Sequence, residues 1–172
     1  MKLVFILSFT INCLFGFSQT DNQKNNTFYQ QECLISNLKI EEFKNKIFEN
    51  EKTKVIYFFS YSCPSSDEFT PLLKDFFEKN NNVDLYVVTP KNLNNSRKIC
   101  NYLFYKGWFS FPIYTIDKKY KHIVNSLCSD CEEKSMGYSD FFILNSKNEL
   151  IYQTNYNQNS EEKIELLDKI IE

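Results

Sequence analysis

Glycine and proline are scarce in this chain, with 3 and 4 among 172 residues. They gather into no linker and no repeat divides the sequence, so one domain with one interior is expected. Arginine occurs once, at Arg97, and histidine once, at His122. Lysines alternate with Glu and Asp around a net charge of −2, which leaves no basic face for nucleic acid. Beyond the first residues no apolar run is long enough to span a bilayer. What is abundant is aromatic: 17 Phe and 11 Tyr supply ample apolar area for a packed core.

Met1-Lys2, the apolar run Leu3 to Phe17 and the polar stretch that follows have the shape of a signal peptide. Gly16 and Ser18 place the cut after Ser18. The expected organisation is therefore a signal peptide over 1–18, a flexible leader over 19–33 and a folded domain over 34–172. An uncleaved anchor is the alternative, set against a run interrupted by Thr10 and Asn12. Asn12 before Cys13 argues against lipidation. Export, to the periplasm or beyond, would put the remaining cysteines in an oxidising compartment. Cys33, Cys63, Cys100, Cys128 and Cys131 are an odd set, so at least one of them has no partner in a monomer.

Leu34 to Glu49 carries loosely helical spacing, and Lys54 to Phe59 is a continuous run typical of a strand buried on both faces. Phe69, Leu72, Leu73, Phe76 and Phe77 form an amphipathic helical stripe. Val83 to Val88 reads as a second strand, which closes a parallel crossover unit. Asn94 to Tyr105 reads as helix, Ile113 to Ile116 as strand, Phe141 to Gln153 as a hairpin and Ser160 to Ile171 as a final helix. The segment 117–138 reads as polar connection.

Cys63 follows the buried strand and opens the helix, where unpaired backbone N–H groups and the helix dipole favour an anion. Pro71 lies eight residues on, inside the helical pattern. The stretch FFSYSCPSSDEFTPLLKDF, followed in order by WFSFPIYTIDKKY and GYSDFFILNSKNELIYQ, resembles redoxin-type exported oxidoreductases of the thioredoxin-like superfamily. The resemblance runs from Lys54 to Ile171 and implies a three-layer α/β fold around a mixed sheet, thiol–disulfide exchange through Cys63, and no bound cofactor. It also implies three departures. The family's second cysteine falls on Ser66, which leaves the degenerate motif Cys63-Pro64-Ser65-Ser66. The cis-proline facing the motif falls at Ser139, and the buried acid beneath it falls near Tyr57.

Cys128-Ser129-Asp130-Cys131 forms a second constellation with three readings. It can be a redox pair that resolves mixed disulfides on Cys63, a static disulfide, or half a zinc site completed by His122 and a remote cysteine. Cys33 and Cys100 read as a leader-proximal thiol and a small core residue. The candidate catalytic set is thus Cys63, Ser66, Cys128 and Cys131, with Ser66 helping to stabilise the thiolate and with protein or small-molecule thiols and disulfides as partners. A non-catalytic binding module of the cell envelope is the rival. A thiol peroxidase ranks below both, because Ile56 stands where that family has proline and Arg97 is remote in sequence.

Overall fold

The computed structural model describes residues 33–90, 96–107 and 111–171. All of them fall in the compact unit 32–172. The signal peptide and nearly all of the leader expected above lie outside the described residues.

In chain order the elements are β1 (Ile35–Leu38), α1 (Ile40–Phe48), β2 (Lys54–Phe58), α2 (Pro64–Lys79), β3 (Asp84–Pro90), α3 (Ser96–Tyr105), β4 (Ile113–Ile116), α4 (Tyr120–Leu127), β5 (Phe141–Leu144), β6 (Leu150–Gln153) and α5 (Ser160–Ile171). The six strands form one mixed sheet in the order β1-β4-β3-β2-β5-β6. Four run parallel, and β5 and β6 are antiparallel to their neighbours. Among the described residues no helix is long and apolar enough to cross a membrane.

Strand β2 lies at the centre, between β3 and β5, with every residue buried. The two-residue period of a strand sends its side chains to opposite faces. Val55, Tyr57 and Phe59 join one apolar cluster with Phe69, Leu73, Ile99 and Leu167, beneath α2, α3 and α5. Ile56 and Phe58 join the other with Phe43, Ile47, Ile123 and Val124, beneath α1 and α4. A sheet between two helical layers results, as the resemblance implied.

Local sequence sets the ends of the helices. Pro64 occupies the first turn of α2, where a missing N–H costs nothing, with Asp67 in that turn and Lys79 in the last. Asn159 and Glu162 exchange hydrogen bonds of 2.9 and 2.8 Å between side chain and backbone N–H, a capping box that starts α5. Four details differ from the sequence reading. The segment read as one helix from Leu34 begins instead as strand β1, an edge strand whose partner β4 is remote in sequence. The connection 117–138 contains α4, packed through Ile123, Val124 and Leu127. Leu72, assigned to the buried stripe, is 39% exposed. Cys33 and Cys100, read as separate thiols, form a disulfide with 5.6 Å between Cα atoms, tying the start of β1 to α3.

Candidate active site around Cys63

Strand β2 delivers the chain into a tight turn, Ser60-Tyr61-Ser62-Cys63, closed by a 3.1 Å bond from Cys63 N–H to the Ser60 carbonyl. The Ser60 and Ser62 hydroxyls lie 3.1 Å apart inside it. Cys63 is then the N-cap residue of α2, and its carbonyl accepts from Asp67 N–H at 3.1 Å. Its own side chain makes no cap bond. The thiol therefore sits half-buried beside first-turn amides that have no partner within the helix. Among the described residues it is the one cysteine outside a disulfide.

Ser66, one turn on, is fully buried. Its Oγ accepts from Ser60 N–H at 3.3 Å, which pins the strand end to the helix. Behind it the Tyr57 hydroxyl meets Thr70 Oγ1 at 3.2 Å. Burial drives the Tyr57 phenol far upward; hydrogen bonds from Thr70 and Ser66 oppose this, and the charges of Cys63 and Asp140 add to it. Ser66 thus faces the Tyr57 network, a role the sequence did not suggest. Burial likewise raises the Tyr138 phenol, with Cys63 as the next cause, so this residue of the neighbouring loop is within electrostatic reach of the thiol.

The position expected for a cis-proline is Ser139. No cis peptide occurs among the described residues, and Ser139 instead has φ of 75°, in the left-handed region. It is bonded directly to the site's strand, with Ser139 N–H donating to the Phe58 carbonyl at 2.8 Å and Phe58 N–H to the Asp140 carbonyl at 2.9 Å. A buried acid does occur in the residue after Ser139. Asp140, 1% exposed, pairs with Lys163 of α5 at 2.7 Å. Sequence reading missed this pair; an Asp before an apolar strand and a Lys amid apolar positions of an amphipathic helix were the available signals.

Cys128 and Cys131 are bonded to each other, with 5.3 Å between Cα atoms. They lie beneath the helical layer of α1 and α4, across the sheet from α2. Cys128 lines a cleft of about 300 Å³ with Phe48, Leu144 and Leu150. Leu144 pairs with Lys54, at the start of β2, whereas Cys63 follows its end. At roughly 3.3 Å per residue the strand alone separates those ends by about 13 Å. The structure therefore does not bring Cys128 and Cys131 together with Cys63 and Ser66. Cys128 also ends α4, where the helix dipole disfavours a thiolate. As disulfide sulfurs neither is a zinc ligand, and His122 is exposed on α4. No group of His, Cys, Asp and Glu among the described residues could hold a metal ion. Arg97 is exposed in the first turn of α3.

Comparison with known proteins bears on this arrangement. The sequence profile described as thioredoxin-like matches residues 50–150, which include Cys63, Ser66 and Asp140. No curated protein matches the chain. Among solved structures, a thiol:disulfide interchange protein of the thioredoxin family from Chlorobium tepidum aligns with a TM-score of 0.56 at 9% identity, covering 74% of this chain and 85% of that one. The thioredoxin domain of a thiol-disulfide oxidoreductase from Bacteroides vulgatus aligns with the same TM-score at 11% identity, over 74% and 84% of the two chains. A secreted Mycobacterium tuberculosis disulfide oxidoreductase aligns at 0.52 and 13% identity, over 70% and 81%. Identities this low speak for the shared fold alone, whereas the profile match extends over more than half of the sequence. With the mixed sheet, the strand-to-helix cysteine and that profile in agreement, the chain belongs to the thioredoxin-like family.

Proposed function

We propose that this protein carries out thiol–disulfide exchange with Cys63 as a single-thiol centre. The observation that carries the reading is the combination at Cys63: the N-cap of α2, half-buried, and outside any disulfide while the other four described cysteines are paired. The Cys63 thiolate attacks one sulfur of a substrate disulfide, forming a Cys63–substrate disulfide and expelling the other substrate sulfur as a thiolate. Ser66 cannot resolve that adduct, and Cys128 and Cys131 are oxidised and remote. An external thiol attacks the substrate sulfur instead, forms a disulfide with it, and returns Cys63 as thiolate. Two disulfides in the folded unit support an oxidising, exported setting, periplasmic or secreted.

The test is reaction of the chain from Gln19 onward, which lacks Cys13, with an aromatic disulfide that releases a coloured thiolate. One equivalent is expected, none from Cys63→Ser, and release of the adduct by added thiol should be unaffected when Cys128 and Cys131 are both replaced by Ser. Slowed release in that double variant would return the resolving role to them. A wild-type chain that does not react would leave the non-catalytic binding module as the function, a reading favoured by the absence of a second cysteine at Ser66.

A further inference from the structure

We propose that the Cys128–Cys131 disulfide is a second redox centre, separate from Cys63, that is reduced by a small zwitterionic thiol bound in the cleft between α1 and the end of α4. The inference does not depend on the reactivity of Cys63.

The bridge contributes little as a staple. It closes a loop with a sequence separation of 3, against 67 for Cys33–Cys100, so it restrains the unfolded chain far less. Both of its flanks are also held without it. Cys128 N–H donates to the Val124 carbonyl at 2.9 Å, which closes the last turn of α4. On the other side Glu132 N–H donates to Gln153 Oε1 at 2.7 Å, and Gln153 Nε2 donates to the Glu132 carbonyl at 3.2 Å and to Ser135 Oγ at 3.0 Å. Tyr156 N–H adds a 3.0 Å bond to the Ser135 carbonyl. Breaking the S–S bond therefore leaves its surroundings in place, and the bridge can open and close without unfolding.

Both cysteines are buried among apolar residues, and the cleft lined by Cys128 is the approach from solvent. Its volume of about 300 Å³ lies at the small end of ligand pockets. Phe48, Leu144 and Leu150 give it an apolar lining, to which Lys44 and Asp130 add one charge of each sign. Lys44 Nζ lies 5.4 Å from the centre of the Phe48 ring, which holds the cation against that lining. A thiol carrying an ammonium and a carboxylate meets both charges, whereas an uncharged thiol meets neither.

The leaving group favours the same sulfur. Cys128 ends α4, where the helix dipole opposes a thiolate, so attack on Cys128 that expels Cys131 is the better course. The bound thiolate attacks Cys128 Sγ, the Cys128–Cys131 bond breaks, and Cys131 leaves as a thiolate that takes a proton from water. A second thiol attacks the bound ligand's sulfur, forms a disulfide with it and frees Cys128, which is protonated in turn. Two small thiols are oxidised to one disulfide, and the protein gains two electrons and two protons.

The test uses the chain from Gln19 onward with Cys63→Ser, treated with L-cysteine as the zwitterionic thiol and β-mercaptoethanol as the uncharged one. Each rate is divided by that thiol's rate on a small linear disulfide, and released protein thiols are alkylated and located by mass spectrometry. Cys128 and Cys131 should appear as free thiols while Cys33–Cys100 stays closed, and the normalised rate should be at least fivefold higher for L-cysteine. Lys44→Gln/Asp130→Asn should bring the two normalised rates within twofold of each other. A bridge that opens only together with Cys33–Cys100, or only at the rate of global unfolding, is a static disulfide and overturns the proposal. So does a preference below fivefold with the cleft intact, or one that survives the double substitution.

Discussion

Breaking the Cys33–Cys100 disulfide should cost far more than breaking Cys128–Cys131, because the two close loops of very different length. The first spans a sequence separation of 67 residues and the second a separation of 3. Loop-closure entropy in the unfolded chain grows with the logarithm of that length, giving about 4 kcal/mol for the long loop and about 1.5 kcal/mol for the short one. Replacing Cys33 and Cys100 together by Ala, in a Cys63→Ser background that prevents reshuffling, should lower the unfolding free energy by roughly the larger figure and Tm by on the order of 10 °C. Urea unfolding followed by circular dichroism measures the first, and a thermal scan the second. The native state should respond locally as well. β1 is an edge strand of four residues, so without its tether the amides of Ile35–Leu38 should exchange hydrogen faster than those of β2. A loss under about 1 kcal/mol, with exchange in β1 unchanged, would refute the account.

Two further outcomes are expected. Ser66→Cys should let position 66 form a disulfide with Cys63, since Cys128–Cys131 bridges the same sequence separation across 5.3 Å; the oxidised variant should lose its reactive thiol, and a thiol that still labels would show that the α2 start cannot adopt the bridge. Burial raises the phenols of Tyr57, Tyr102 and Tyr120 above their ordinary value of 10.0. Above about pH 10 the unfolded chain therefore loses these protons first, and stability should fall as pH rises through that range. Phenolate absorbance should accordingly lag until unfolding, and a titration complete near the ordinary value in the folded protein would contradict the burial.

The legible parts of the fold were those where one element's own pattern suffices. KVIYF could be read as a central strand because all its residues are apolar or long enough to be buried on both faces, and Phe69 to Phe77 as a helix because its spacing repeats. The position of Cys63 followed from the junction of those two. Strand β1 was not legible, since its four residues owe their conformation to pairing with β4. Helix α4 was too short for its three buried positions to stand out from polar surroundings. Spacing could not reveal that Cys33 meets Cys100, because connectivity depends on which helix crosses which strand end. The Asp140–Lys163 pair was hidden for a related reason: each residue reads as an ordinary solvated charge until α5 is laid against the start of β5.

The place of β1 in the sheet bears on the order in which the chain assembles. Asn37 bonds Thr115, 78 residues further along, whereas β2 and β3 are joined through one helix and β5 and β6 by a short hairpin. During synthesis β1 emerges first among the strands described, yet its pairing edge does not exist until β4 has formed beside β3. It is therefore the earliest strand made and among the last to dock, after the long-range closure that slows folding has been met. Until then Cys33 has no native partner within reach, and an oxidant acting too early would join it to whichever thiol is nearest.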